Sequence, residues 1–142
     1  MFCWEFRKDC MGKLRLLTIA VLFCTNWLLA ACSGVSSSSA PKAVEAYLKA
    51  LVAEDLNQMI SVSCADWEAQ AKIEYDSFAA VKLTLEGLQC EETGKNDPFT
   101  LVACQGSIIA NYGAEDLQID IADRPFQVIQ EGGTWRMCGY SQ

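Results

Sequence analysis

The chain contains no histidine in its 142 residues. Without an imidazole, neither a Ser-His-Asp nor a Cys-His relay can be built, and the imidazole-rich metal sites are excluded with them. Basic residues are scarce as well, 11 Lys and Arg against 18 Asp and Glu, for a formal net charge of −7. An acidic surface repels phosphate backbones, so no nucleic-acid partner is expected. There is no Cys-x-x-Cys pair, which together with the missing histidine leaves no zinc-ligand spacing, and neither a metal nor a cofactor is expected. Long apolar runs are also missing. The stretch from Leu16 to Ala31 is interrupted by Thr25-Asn26 and falls short of the about 20 apolar residues that a spanning helix requires. No internal repeat is visible.

That short stretch nevertheless has an order of its own. Lys13 and Arg15 precede it, Leu16 to Cys24 is apolar apart from Thr18, and Leu29-Ala30-Ala31-Cys32 closes it with small residues and a cysteine. The arrangement is that of an export signal, and its last four residues resemble the lipobox of a bacterial lipoprotein. The resemblance implies cleavage before Cys32, a diacylglycerol on its sulfur, an acyl chain on its freed amine, and a cell-envelope location held by membrane lipid. The location is the outer side of the cytoplasmic membrane or the outer membrane; Ser33 after the cysteine resembles outer-membrane sorting in a diderm. Residues 1–31 are then the signal peptide. Glu5 and Asp9 sit ahead of the basic pair, and Met11 makes a more regular start, so residues 1–10 read as a start-site extension.

Residues 32–142 carry 16 Asp and Glu and 7 Lys and Arg, a net charge of −9, in a length that suits one domain. Cys32 to Ala40 is Ser-rich with no apolar period and reads as a tether. The domain is expected over 41–142. Pro41 suits a first helical turn, and Val44, Tyr47, Leu48, Leu51 and Val52 form one apolar stripe at helical spacing. Asp55 can cap a short second helix bearing Leu56, Met59 and Ile60. Asp66 can cap a third carrying Trp67, Ala71, Tyr75 and Phe78 and ending near Ala80.

Beyond Ala80 the period changes to two. Val81, Leu83 and Leu85 alternate with polar residues, the phase slips at Gly87-Leu88 as at a bulge, and Gly94 to Pro98 reads as a turn. Phe99 to Tyr112 is a second strand region. Gly113 to Asp116 turns, Leu117, Ile119 and Ile121 alternate, and Phe126, Val128 and Ile129 follow the break at Arg124-Pro125. Glu131-Gly132-Gly133 leads to a last strand over Trp135 to Tyr140. Helices followed by an antiparallel meander make an α+β fold.

The opening helix from Ala43 to Leu51 with Glu54-Asp55-Leu56, and the closing Gly132-Gly133-Thr134-Trp135-Arg136-Met137-Cys138, resemble the NTF2-like (cystatin-like α+β cone) superfamily over Pro41 to Tyr140. The resemblance implies N-terminal helices packed on a curved antiparallel sheet, with a cone that is a pocket in some members and filled core in others. Tyr47, Trp67, Tyr75, Phe78, Phe126 and Trp135 are the candidate lining of such a pocket, for a small apolar ligand. The expected activity is noncatalytic, binding either that ligand or a protein partner. The alternative is a small enzyme on a hydrophobic substrate, since NTF2-like enzymes use carboxylate and tyrosine acid-base groups. For that role Tyr47, Tyr75 and Tyr112 could face a pocket with Asp76, Asp120 and Arg124, although none sits in a motif matching a particular enzyme.

Four cysteines remain in the domain, which in an exported chain suggests two disulfides among three pairings. A hairpin turning symmetrically about Asp97 sets Cys90 opposite Cys104, within bridging reach. Cys64 and Cys138 then pair by elimination.

Overall fold

The protein is described from a computed structural model over residues 37–142. Cys32, the cleavage site and most of the tether lie outside the described residues. Helix α1 spans Ala40–Val52, α2 Leu56–Ser61 and α3 Glu68–Ser77; the strands are β1 Lys82–Asn96, β2 Phe99–Asn111, β3 Asp116–Asp120, β4 Phe126–Glu131 and β5 Thr134–Tyr140. All strand pairs are antiparallel, so the fold is α+β.

Helix α1 starts one residue earlier than expected, at Ala40, with Pro41 in its first turn where the missing N–H is no loss. Its buried face is Ala40, Ala43, Val44, Tyr47, Leu48, Ala50 and Leu51, the 3.6-residue stripe of a helix packed on one side only. On the opposite face Lys42 and Lys49 both reach Glu45, at 2.8 and 3.3 Å. The Asp55 carboxylate accepts from the Gln58 N–H at 2.9 Å and caps α2.

The third helix departs from the expectation at both ends. Trp67, not Asp66, holds the N-cap position, and the helix stops at Ser77 with Phe78 as its C-cap. A tight turn precedes it, in which the Trp67 N–H donates to the Cys64 carbonyl at 3.0 Å. That turn delays the helix by one residue and directs the indole inward.

Strand β2 organises the sheet. One edge pairs with β1 along its length, whereas the other is shared, with Thr100–Val102 facing β4 and Ser107–Asn111 facing β3. Strand β5 pairs with β4. Its free edge is covered where the Cys64 N–H donates to the Met137 carbonyl and the Met137 N–H to the Val62 carbonyl, each at 2.8 Å.

The β1–β2 hairpin is tighter than the expected five-residue turn, because both strands continue to Asn96 and Phe99 and only Asp97-Pro98 links them. Its axis therefore falls between Asp97 and Pro98, not on Asp97. A register shift between Glu92 and Gly94 then moves the pairing by one residue, and Cys90 comes to face Cys104 after all. A second shift falls between Glu86 and Gln89. There the chains approach so closely that a Cβ on Gly106 would lie 2.6 Å from the Glu86 carbonyl oxygen, at a φ of +118°. Glycine is required at that crossing.

Disulfides join Cys64 to Cys138 and Cys90 to Cys104, with Cα separations of 5.3 and 4.1 Å. Helix α1 packs across β1, β2, β4 and β5. The core between them holds Val44, Tyr47, Leu51, Met59, Val102, Phe126, Val128 and Met137, all sealed from solvent. Among the described residues no helix is long and apolar enough to cross a membrane.

Candidate functional site

A cleft of about 290 Å³ opens between α1, α3 and the sheet. Its floor is apolar: Leu48 and Leu51 from α1, Phe78 from the end of α3, Ile108 from β2, Ile119 from β3, and Ile121 just beyond it. Strand β3 leads outward from the floor. Ile121 is buried, Ile119 half-buried and Leu117 51% exposed, so one row of side chains on one face passes from core to solvent. Polar groups border the cleft at Glu74, Asp120, Asp123, Arg124 and Tyr140.

Glu74 is the centre of the polar part. The Tyr47 hydroxyl donates to its Oε2 at 2.6 Å and the Tyr140 hydroxyl to its Oε1 at 2.7 Å. The Trp67 indole N–H donates in turn to the Tyr47 oxygen at 3.2 Å. Burial first, and the Glu74 carboxylate second, push both phenols well above the ordinary tyrosine range. Tyr47 and Tyr140 thus stay protonated and act as fixed donors, three elements converging on one carboxylate.

The aromatic rings hold this arrangement in place. Trp67 meets Tyr140 edge to face with centroids 5.7 Å apart, and Phe126 lies 5.1 Å from Tyr140 on another side. The Arg124 guanidinium stands over the Tyr140 ring, 5.2 Å from its centroid. The Trp67 indole occupies the space above Gly139, where a Cβ would come within 2.8 Å of Cζ3, and the backbone there has a φ of +112°. Gly139 is therefore a seat for Trp67.

Of the six aromatic residues expected to line a pocket, Phe78 borders the cleft. Tyr47 and Phe126 are sealed in the core, and Trp67 and Trp135 are half-buried against it. Tyr75 turns its hydroxyl to the Glu54 carbonyl at 3.2 Å and locks α3 to the α1–α2 turn. They fill the interior because a domain of this size has few other bulky side chains with which to do so.

The acid-base candidates divide too. Asp120 and Arg124 border the cleft, and Asp120 also accepts from the Ala122 N–H at 2.9 Å. Asp76 and Tyr112 do not reach it: Asp76 is an exposed partner of Lys72 at 3.3 Å, and Tyr112 is 58% exposed near the β2–β3 turn.

Sequence reasoning missed Glu74 and Tyr140. Glu74 lies three residues after buried Ala71 and four before Phe78, an acid on the apolar side of its helix, and that breach of pattern was the available signal. For Tyr140 no comparable signal exists, because its partner is 66 positions away in the chain. Among the described residues there is no group of three or more Cys, Asp and Glu placed to hold a metal ion.

No family model matches this chain, and no curated protein does either. Among solved structures, it is similar to the crystal structure of the helical cell shape determining protein Pgp2 from Campylobacter jejuni, at 10% identity and a TM-score of 0.47. The similarity covers 70% of this chain and 38% of that one; this chain spans well under half of that protein. A likeness so distant carries no argument about activity.

Proposed function

We propose that this chain is a cell-envelope lipoprotein, anchored through Cys32, whose domain is an NTF2-like cone working as a noncatalytic binding module. The anchor rests on Leu29-Ala30-Ala31-Cys32 and the basic and apolar segments before it. The cone rests on helices followed by an antiparallel sheet and on α1 lying across four strands. The observation that carries the binding role is the cleft with an apolar floor, beside which Glu74 has both oxygens occupied by phenol hydroxyls.

A phenol has one proton to donate, and at Tyr47 and Tyr140 that proton is engaged by Glu74. Neither remains free to stabilise an oxyanion in a substrate. Their displacement above the ordinary tyrosine range also runs against acid-base work, which needs a proton-transfer group poised near the working pH. A rigid carboxylate beside an apolar floor is suited to holding a ligand in one orientation.

A second reading, acid-base catalysis on a hydrophobic substrate, draws on the same carboxylate and tyrosines. It requires the Tyr140 hydroxyl to leave Glu74 when substrate enters. Equilibrium binding of a neutral apolar probe, cyclohexylmethanol, to the processed chain tests the binding role. Binding that is lost in Ile119→Trp, which fills the cleft, is expected; no binding of this alcohol or of its amine analogue, or binding indifferent to Ile119→Trp, would contradict it.

A further inference from the structure

The charges around the cleft are unbalanced. Glu74, Asp120 and Asp123 border it against a single guanidinium, that of Arg124. Arg124 is already placed over the Tyr140 ring. Among the described residues no Lys or Arg forms an ion pair with Glu74; the pairs present involve Glu45, Asp76 and Glu131 instead. The Glu74 charge is half-buried and met only by neutral donors. Each of its oxygens has a second lone pair beyond the one a tyrosine uses. A carboxylate partly withdrawn from water and lacking a counter-cation gains most from a ligand that supplies one. The remaining lining of the cleft is aliphatic and aromatic.

We infer that the cleft takes a small amphipathic cation, an ammonium group on an apolar body, with the ammonium at Glu74 and the body on Leu48, Phe78, Ile119 and Ile121. This inference rests on the binding role proposed above and specifies its ligand. Complementarity is the argument. The ammonium offers the N–H donors and the positive charge that Glu74 lacks, Asp120 and Asp123 set a field of the same sign at the mouth, and the body replaces water on the apolar floor. An anionic head would meet three carboxylates, with one guanidinium to offset them.

Calorimetric titration of the full processed chain with three probes of one shape separates the terms: cyclohexylmethylamine, cyclohexylmethanol and cyclohexanecarboxylate. The ammonium is expected to bind at least about tenfold tighter than the alcohol, as one favourable charge contact provides, and the carboxylate weakest. Glu74→Gln is expected to bring the ammonium to within about threefold of the alcohol, the ammonium losing more affinity than the alcohol does. Should that variant fail to fold, Asp123→Asn, at an exposed position, is expected to weaken the ammonium about twofold to threefold and the alcohol not at all. Equal binding of all three probes, or tightest binding of the carboxylate, would overturn the inference while leaving a binding cleft in place. No binding of any probe would overturn the binding role itself.

Discussion

Raising the pH should unfold this domain through two particular tyrosines. Tyr47 and Tyr140 are both held neutral, by burial first and by Glu74 second, far above the ordinary value of 10.0. In the unfolded chain they ionise near that ordinary value. A group whose folded pKa is raised leaves stability intact below the unfolded pKa and removes it progressively above. Each tyrosine then contributes about 1.4 kcal/mol of lost stability per pH unit, and the two together about 2.7. For a domain stable by about 5–15 kcal/mol, a slope of that size above pH 10 removes a substantial share of the stability with each pH unit. Urea titrations at a series of alkaline pH values, with tyrosinate absorbance read alongside, measure this slope. Tyr47→Phe and Tyr140→Phe should each lower the starting stability by about 1–3 kcal/mol, because each leaves a Glu74 oxygen without its donor. Each should also reduce the alkaline slope by about 1.4 kcal/mol per unit. A double variant with the slope of the parent would refute the claim that these phenols are the buried pair.

Removal of the Cys64–Cys138 disulfide, which closes the longer loop, should cost more than removal of Cys90–Cys104, about 4.5 against about 3 kcal/mol in the chain-entropy account; denaturant midpoints of the two double Cys→Ala variants measure the difference. Gly139→Ala should cost about 2–4 kcal/mol, since the added methyl collides with Trp67 at a backbone angle that disfavours alanine, and tryptophan fluorescence should report the displaced indole. Asp76→Asn should change stability by no more than about 0.5 kcal/mol, as befits an exposed i,i+4 pair, whereas Asp120→Ala should cost about 1 kcal/mol through its lost hydrogen bond to the Ala122 N–H. Cys32→Ala should abolish metabolic labelling with a fatty-acid analogue; persistent labelling would contradict the proposed anchor.

What could be read from the residues, and what could not, follows from the reach of each interaction. The α1 stripe and the Asp55 cap are local patterns within one or two turns, and they are plain in the chain. The alternation of β1 and β2 is equally local, but the hairpin axis is not. Two register shifts and a two-residue link decide it, and periodicity is silent about where a bulge restores the phase. The start of α3 depends on a turn beside Cys64 and on the seat that Gly139 provides for Trp67, both of them tertiary matters. The same holds for the site. Aromatic residues can be recognised as bulky, yet which of them fill the core and which border a cleft is settled by packing across elements, so Phe78 borders it while Phe126 does not. Glu74 acquires its role only when Tyr47 and Tyr140, 27 positions before it and 66 after it, arrive on either side.

The central claim, that the cleft beside Glu74 is a ligand site, is tested most directly by methyl-resolved NMR of the processed chain titrated with cyclohexylmethylamine. Saturable shifts confined to the methyls of Leu48, Leu51, Ile108, Ile119 and Ile121, and absent when Ile119→Trp fills the space, are the result expected. Shifts spread over the surface, centred instead on the groove beside Arg136 and Ile60, or absent at saturating probe would contradict it.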